Sequence, residues 1–163
     1  MIFKETSLKG AYIIELNKLE DERGFFSRTF CQDEFKKYNL DYNIAQCNIS
    51  FNKLIGTLRG MHYQVNPYEE TKLVRCIRGS IYDVIIDLRK DSDTYLKWTS
   101  VELSESNYLS LYIPKGFAHG FQTLEDNTDV FYQMYQFYEP NSASGIRYND
   151  STFDIKWPLE ITS

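Results

Sequence analysis

Turn-forming clusters interrupt this chain at short intervals, at Asp21-Glu22-Arg23-Gly24, Asn52-Lys53, Asn66-Pro67, Arg78-Gly79-Ser80, Pro114-Lys115-Gly116 and Glu125-Asp126-Asn127. The segments between them are rich in Tyr, Phe, Ile and Val, residues that fit a pleated surface, so the pattern is that of an all-β sandwich or barrel. The clearest alternation is Ile81 to Leu88, which predicts a strand with Tyr82, Val84, Ile86 and Leu88 on one face and Asp83 and Asp87 on the other. Lys72 to Arg78, Tyr108 to Ile113 and Val130 to Tyr138 also read as strands. Gln32 to Tyr38 reads as a short helix, with Asp33 and Glu34 near its start and Lys36 and Lys37 near its end.

A chain of 163 residues suits one domain, residues 1–163, that buries roughly 70% of its unfolded surface. With 13 Tyr, 11 Phe and 2 Trp against 8 Gly and 4 Pro, disorder and collagen-like repeats are excluded. No apolar run reaches the ~18 residues of a membrane span, and the opening MIFKETSLKG lacks a signal-peptide core, so no membrane partner and a cytoplasmic location are expected. The net charge of −5 argues against nucleic acid as a partner. Cys31, Cys47 and Cys76 are odd in number and lack CxxC spacing, and we expect buried free thiols.

The two histidines stand in glycine-bearing aromatic segments, Leu58-Arg59-Gly60-Met61-His62-Tyr63-Gln64 and Pro114-Lys115-Gly116-Phe117-Ala118-His119-Gly120-Phe121. The second is similar to the PxGxxH motif of the cupins, small double-sheet barrels. Metal-binding cupins add an HxH pair that here reads His62-Tyr63-Gln64, so the ligand set is broken and no metal site is expected, even with Glu69 and Glu70 nearby.

Read together, Asp21 to Phe26, Gln46 to Ser50, Gly56 to Gln64, Lys72 to Val74, Asp83, Asp87 to Arg89, Ile113 to Phe121 and Asn149-Asp150 through Trp157-Pro158 occur in the order seen in the dTDP-4-dehydrorhamnose 3,5-epimerase family, which the chain resembles over about residues 2 to 158. The resemblance implies a cupin-type double-sheet jelly-roll barrel with one or two short helices. It further implies a homodimer, no cofactor, and epimerisation of a nucleotide-diphosphate 4-keto sugar at C3, C5 or both. The chemistry is self-consistent: a ketone at C4 acidifies the hydrogens on C3 and C5, so a base can form an enolate and an acid on the opposite face can return a proton with inversion.

By the same resemblance His62 is the base, paired with Asp150, and a neutral imidazole whose other nitrogen meets a carboxylate suits that work. Tyr132 matches the opposite-face acid and Tyr138 a tyrosine lining the site; six positions apart, they would share one face of an extended strand. Lys72 matches a lysine that steadies negative charge on O4. Arg59, Arg23 and Gln46 match positions gripping the diphosphate and nucleotide. His119 is expected at the substrate, and Phe26 to Arg28 are expected to complete the partner's nucleotide site, with N-terminal strands exchanged between subunits. Arg59 and His62 are three apart, so a common site requires a bulge or bend, which Gly60 allows; the spacing predicts an irregularity at Arg59 to Met61.

Some positions depart from the family pattern. Arg28 stands where a glutamate is usual, and a guanidinium suits the acceptors of guanine, so GDP competes with dTDP as the nucleotide. Tyr135, Ala143-Ser144-Gly145 and Ser151 replace usual residues around the sugar and leave a 4-keto heptose open beside a hexose. A 3,4-ketoisomerase and a non-catalytic sugar-nucleotide-binding cupin are the competing functions. Retention of His62, Lys72, Tyr132 and Asp150 speaks against the second.

Overall fold

A computed structural model describes residues 1–163. The strands are β1 (Ile2–Glu5), β2 (Tyr12–Glu15), β3 (Leu19–Asp21), β4 (Gly24–Phe26), β5 (Gln46–Asn52), β6 (Leu58–Gln64), β7 (Lys72–Arg78), β8 (Ser80–Asp87), β9 (Trp98–Ser104), β10 (Ser110–Ile113), β11 (Phe117–Thr123), β12 (Thr128–Met134) and β13 (Ala143–Gly145). One helix, α1 (Gln32–Lys37), and a 3-10 turn at Pro140–Ser142 complete the elements. Two sheets face each other, ordered β1-β2-β10-β7-β12-β5 and β13-β6-β11-β8-β9, while β3 and β4 form a separate hairpin. This is the expected double-sheet barrel.

Alternation along each strand decides what fills it. Val74 and Cys76 of β7, Leu111 and Ile113 of β10, Ile81 and Ile85 of β8, Phe117 and Phe121 of β11 and Val130 of β12 meet in one buried cluster between the sheets. Each such side chain contributes about 1.5–3 kcal/mol on burial. Part of each outer face is covered too. α1 lays Phe35 on Leu73, Ile14 and Tyr112. The C-terminal segment packs Phe153, Ile155 and Trp157 over Met61, Val84 and Ile86, and is pinned where Trp98 Nε1 donates to the Phe153 carbonyl at 2.8 Å.

With the C-terminal segment covering Val84 and Ile86, the face of β8 that carries Ile81, Asp83, Ile85 and Asp87 turns into the barrel. Asp83 and Asp87 are fully buried: Asp87 accepts from Arg89, Ser92 and Thr94, and Asp83 pairs with His119. Of the cysteines only Cys76 is buried; Cys31 is partly buried and Cys47 points outward from edge strand β5, though all three are free thiols. The expected Val130 to Tyr138 strand stops at Met134, because the Tyr135 N–H turns to the Thr71 carbonyl and its ring joins the outer cluster with Phe30 and Tyr112. The Tyr108 to Ile113 strand begins at Ser110, since Tyr108 takes a left-handed φ of 57° and packs edge-on to Phe25.

The expected irregularity in β6 is present. His119 pairs with His62 and Phe121 with Arg59, so three steps along β6 oppose two along β11. The extra residue turns Arg59 and His62 to the same side. Gly60 carries it at φ +121°, and a Cβ there would lie 2.5 Å from Gly120 Cα and 2.7 Å from the His119 carbonyl oxygen. Gly60→Ala is therefore expected to lower unfolding stability in urea by about 2 kcal/mol or more.

Candidate active site

Apolar packing gives way at one end of the barrel. The inward row of β5 is Gln46, Asn48, Ser50 and Asn52, with no apolar side chain to close the space. Two adjoining hollows of about 190 and 440 Å³ open there, and both are lined by His62, Lys72 and Tyr132. Their combined size falls within the range of small-molecule sites. The narrower hollow adds Ser50, Arg59, His119 and Phe121, and the wider one adds Gln46, Asn48, Glu70 and Tyr138 among others.

His62 comes from β6 in one sheet and Tyr132 from β12 in the other, so the two line a single space from opposite walls. His62 reaches solvent through the mouth, yet withdrawal from bulk water lowers its pKa below the ordinary 6.5; Lys72, His119 and Arg59 add to this and Glu70 opposes it. The ring is neutral at pH 7, the form a base needs. Burial raises the Tyr132 hydroxyl above its ordinary 10.0, with Arg59 opposing and Glu70 reinforcing, so it holds its proton. Lys72 is buried, its Nζ 2.8 Å from Glu70 Oε1 and 3.5 Å from the His62 carbonyl oxygen. Arg59 is anchored by Nε donating to Asn52 Oδ1 at 2.6 Å and Nη2 reaching the Phe51 carbonyl oxygen at 3.5 Å, and its side chain lines the narrower hollow.

Tyr138 reaches the wider hollow, but by a different route from the one expected. The chain bends after Met134, and the Tyr138 N–H donates to Gln46 Oε1 at 3.2 Å. The bonds of Asp150 are local. Its carboxylate accepts the Thr152 N–H at 2.8 Å, which holds its pKa below the usual 3.8, and its carbonyl accepts from Phe153 and Asp154. These local bonds make it a turn residue, and no hydrogen bond joins it to the imidazole. The imidazole–carboxylate pair that does form is His119 Nε2 with Asp83 Oδ1, 2.7 Å apart inside the barrel.

Arg23, Phe26 and Arg28 also lie away from these hollows. Arg23 pairs with Asp21 at the hairpin tip, Phe26 is 73% exposed, and Arg28 pairs with Glu34 at 3.2 Å. The sequence reading did not give Ser50, Asn48 or Phe121 a place in the site, although Gln46, Asn48 and Ser50 share one parity on β5. It weighed Glu70 only as a metal ligand. No group of three His, Cys, Asp or Glu side chains is arranged to hold a metal, and no helix is long and apolar enough to cross a membrane.

A family model for dTDP-4-dehydrorhamnose 3,5-epimerase matches residues 5–163. An enzyme of that name from Methanothermobacter thermautotrophicus is 46% identical over 159 residues, covering 98% of this chain and 85% of the relative. The crystal structure of an Elizabethkingia anophelis enzyme of the same name superposes with a TM-score of 0.95 at 39% identity, covering 98% of this chain and 87% of that one. A Legionella pneumophila dTDP-6-deoxy-D-glucose-3,5-epimerase in complex with dTDP-4-keto-L-rhamnose gives 0.90 at 36% identity, covering 98% and 86%.

The two displaced pKa values set a pH profile. A depressed imidazole stays an active base until pH falls through its lowered pKa, and a raised phenol stays an acid until pH climbs past its own. Proton exchange into substrate should thus fall off on the acid side only below the ordinary imidazole value of 6.5 and on the alkaline side only above the ordinary phenol value of 10.0. A pH–rate series checks this, and an acid limb centred above 7 would contradict it.

Proposed function

The chain belongs to the dTDP-4-dehydrorhamnose 3,5-epimerase family, and on that premise we propose that it inverts C3, C5 or both in a dTDP-linked 4-keto sugar. The observation that carries this reading is one hollow lined by a neutral imidazole from one sheet and a protonated phenol from the other. A sugar ring between them is deprotonated by His62 on one face, and the C–H electron pair passes into an enolate whose charge rests on O4. Tyr132 then delivers its proton to the carbanion carbon from the other face, which inverts the centre. His62 ends with the proton it took and Tyr132 without the one it gave, so both reset by exchange with water. The ammonium of Lys72 stabilises the oxyanion, a kind of help worth about 3–4 kcal/mol per donor.

In this reading the sugar sits where the two hollows meet. His119 faces it in the narrower one and Tyr138 lines the wider one, while Arg59 and Gln46 grip the diphosphate and nucleotide. Engagement of Arg28 with Glu34 removes the reason to prefer guanine, and dTDP is the nucleotide we propose. The chain acts as a homodimer. Ile49, Phe51 and Ile77 lie exposed on the outward side of the six-stranded sheet, a patch that a second copy would cover. The exchanged N-terminal strands include the β3–β4 hairpin, a separate two-stranded sheet, which carries Arg23 and the segment from Phe26 to Arg28 to the partner's nucleotide site.

In deuterium oxide, freshly made dTDP-4-keto-6-deoxyglucose should gain two deuteriums by mass spectrometry if C3 and C5 both exchange, and one if only C3 does. His62→Ala should abolish incorporation while nucleotide affinity changes little; full residual exchange would remove His62 as the base. Competition binding should favour dTDP over GDP. Mixing inactive His62→Ala and Phe26→Ala chains should recover activity, because a mixed dimer holds one intact site; a mixture as inactive as its parts would contradict a site shared between subunits.

A further inference from the structure

Glu70 lies in the loop between β6 and β7, more than nine-tenths buried, with Oε1 2.8 Å from Lys72 Nζ. Burying such a pair adds little to stability, because the desolvation of two ions offsets their attraction. Its placement instead organises the site. An ammonium has three N–H donors in tetrahedral array. On Lys72 one meets Glu70 Oε1 and a second reaches the His62 carbonyl oxygen at 3.5 Å, which leaves the third for the hollow. Without a carboxylate anchor, the four-carbon stem would leave the charge free to swing.

We propose that Glu70 is a positioning residue for the reaction: by taking one N–H of the Lys72 ammonium, it directs the remaining donor onto the keto oxygen of the substrate. This rests on the role given to Lys72 above. The carboxylate makes no hydrogen bond elsewhere in the protein, and it is the only one lining either hollow. The charged or titratable groups around it are Arg59, His62 and Tyr63 from β6, Lys72 from β7, His119 from β11, and Tyr132 and Tyr138 from β12 and the bend beyond it. Its negative charge acts on both proton-transfer groups in one direction, holding His62 and Tyr132 higher than they would otherwise stand.

The isosteric variant Glu70→Gln keeps the shape and removes the charge. We expect kcat for deuterium incorporation to fall about tenfold with KM changed less than about threefold, since the lost alignment acts on the oxyanion. Both limbs of the pH–rate profile should move down by about half a pH unit. Nitrogen-15 NMR of the two histidines, assigned with His119→Gln, should show the His62 titration moving down with them, and Glu70→Asp should recover part of the loss. Unchanged kcat and an unchanged His62 titration in Glu70→Gln would overturn the proposal, as would a rise in KM alone. Absence of exchange by the wild-type chain is a different failure, overturning the epimerase reading and the proposal with it.

Discussion

Two glycine backbones pressed together make this site possible. Gly60 on β6 and Gly120 on β11 approach so closely that a Cβ on Gly60 would lie 2.5 Å from Gly120 Cα, and one on Gly120 would lie 2.6 Å from Met61 Sδ. That approach lets β6 carry one residue more than its partner. The extra residue reverses the parity of the strand, so Arg59 and His62 face the same space. In an unbroken strand one of them would lie under the C-terminal segment with Val84 and Ile86, where a guanidinium would find only apolar neighbours.

The remainder of the barrel supports that space by contrast. Core strands that alternate Val, Ile, Leu and Phe zip shut, while β5 offers only amides and a hydroxyl to the interior and cannot. Polar side chains at the open end are tied to one another, as Asn52 to Arg59, Gln64 to the Phe137 carbonyl and Glu70 to Lys72. His62 therefore stands on a strand whose other face is packed, with Met61 buried under the C-terminal segment, and a side chain on such a strand is held more rigidly than one on a loop.

Much of this was legible in the chain itself. Period-two alternation marks β8 almost to the residue, and the three-residue spacing of Arg59 and His62 demands the bulge that β6 carries. What stayed hidden depends on what covers a surface. Alternation puts Asp83 and Asp87 on one face of β8, but the partners that take their buried carboxylates, His119 and Arg89 with Ser92 and Thr94, are known only from the fold. Asp150 resembles a catalytic partner by motif, but its carboxylate is claimed by a backbone amide two residues away, a competition that no pattern of spacing records. Glu70 follows a proline-bearing turn, and its pairing with Lys72 shows only once the loop closes.

The electrostatic layout has a consequence for selectivity. The molecule carries a net charge of −5, yet Arg59 and Lys72 converge on one recess that holds a single carboxylate. Long anionic polymers meet the repulsive exterior first, while a short dianion can slip inside, where low-dielectric walls concentrate the cationic field. A net-anionic molecule with a recess richer in cations than in carboxylates thus favours compact anions over extended ones.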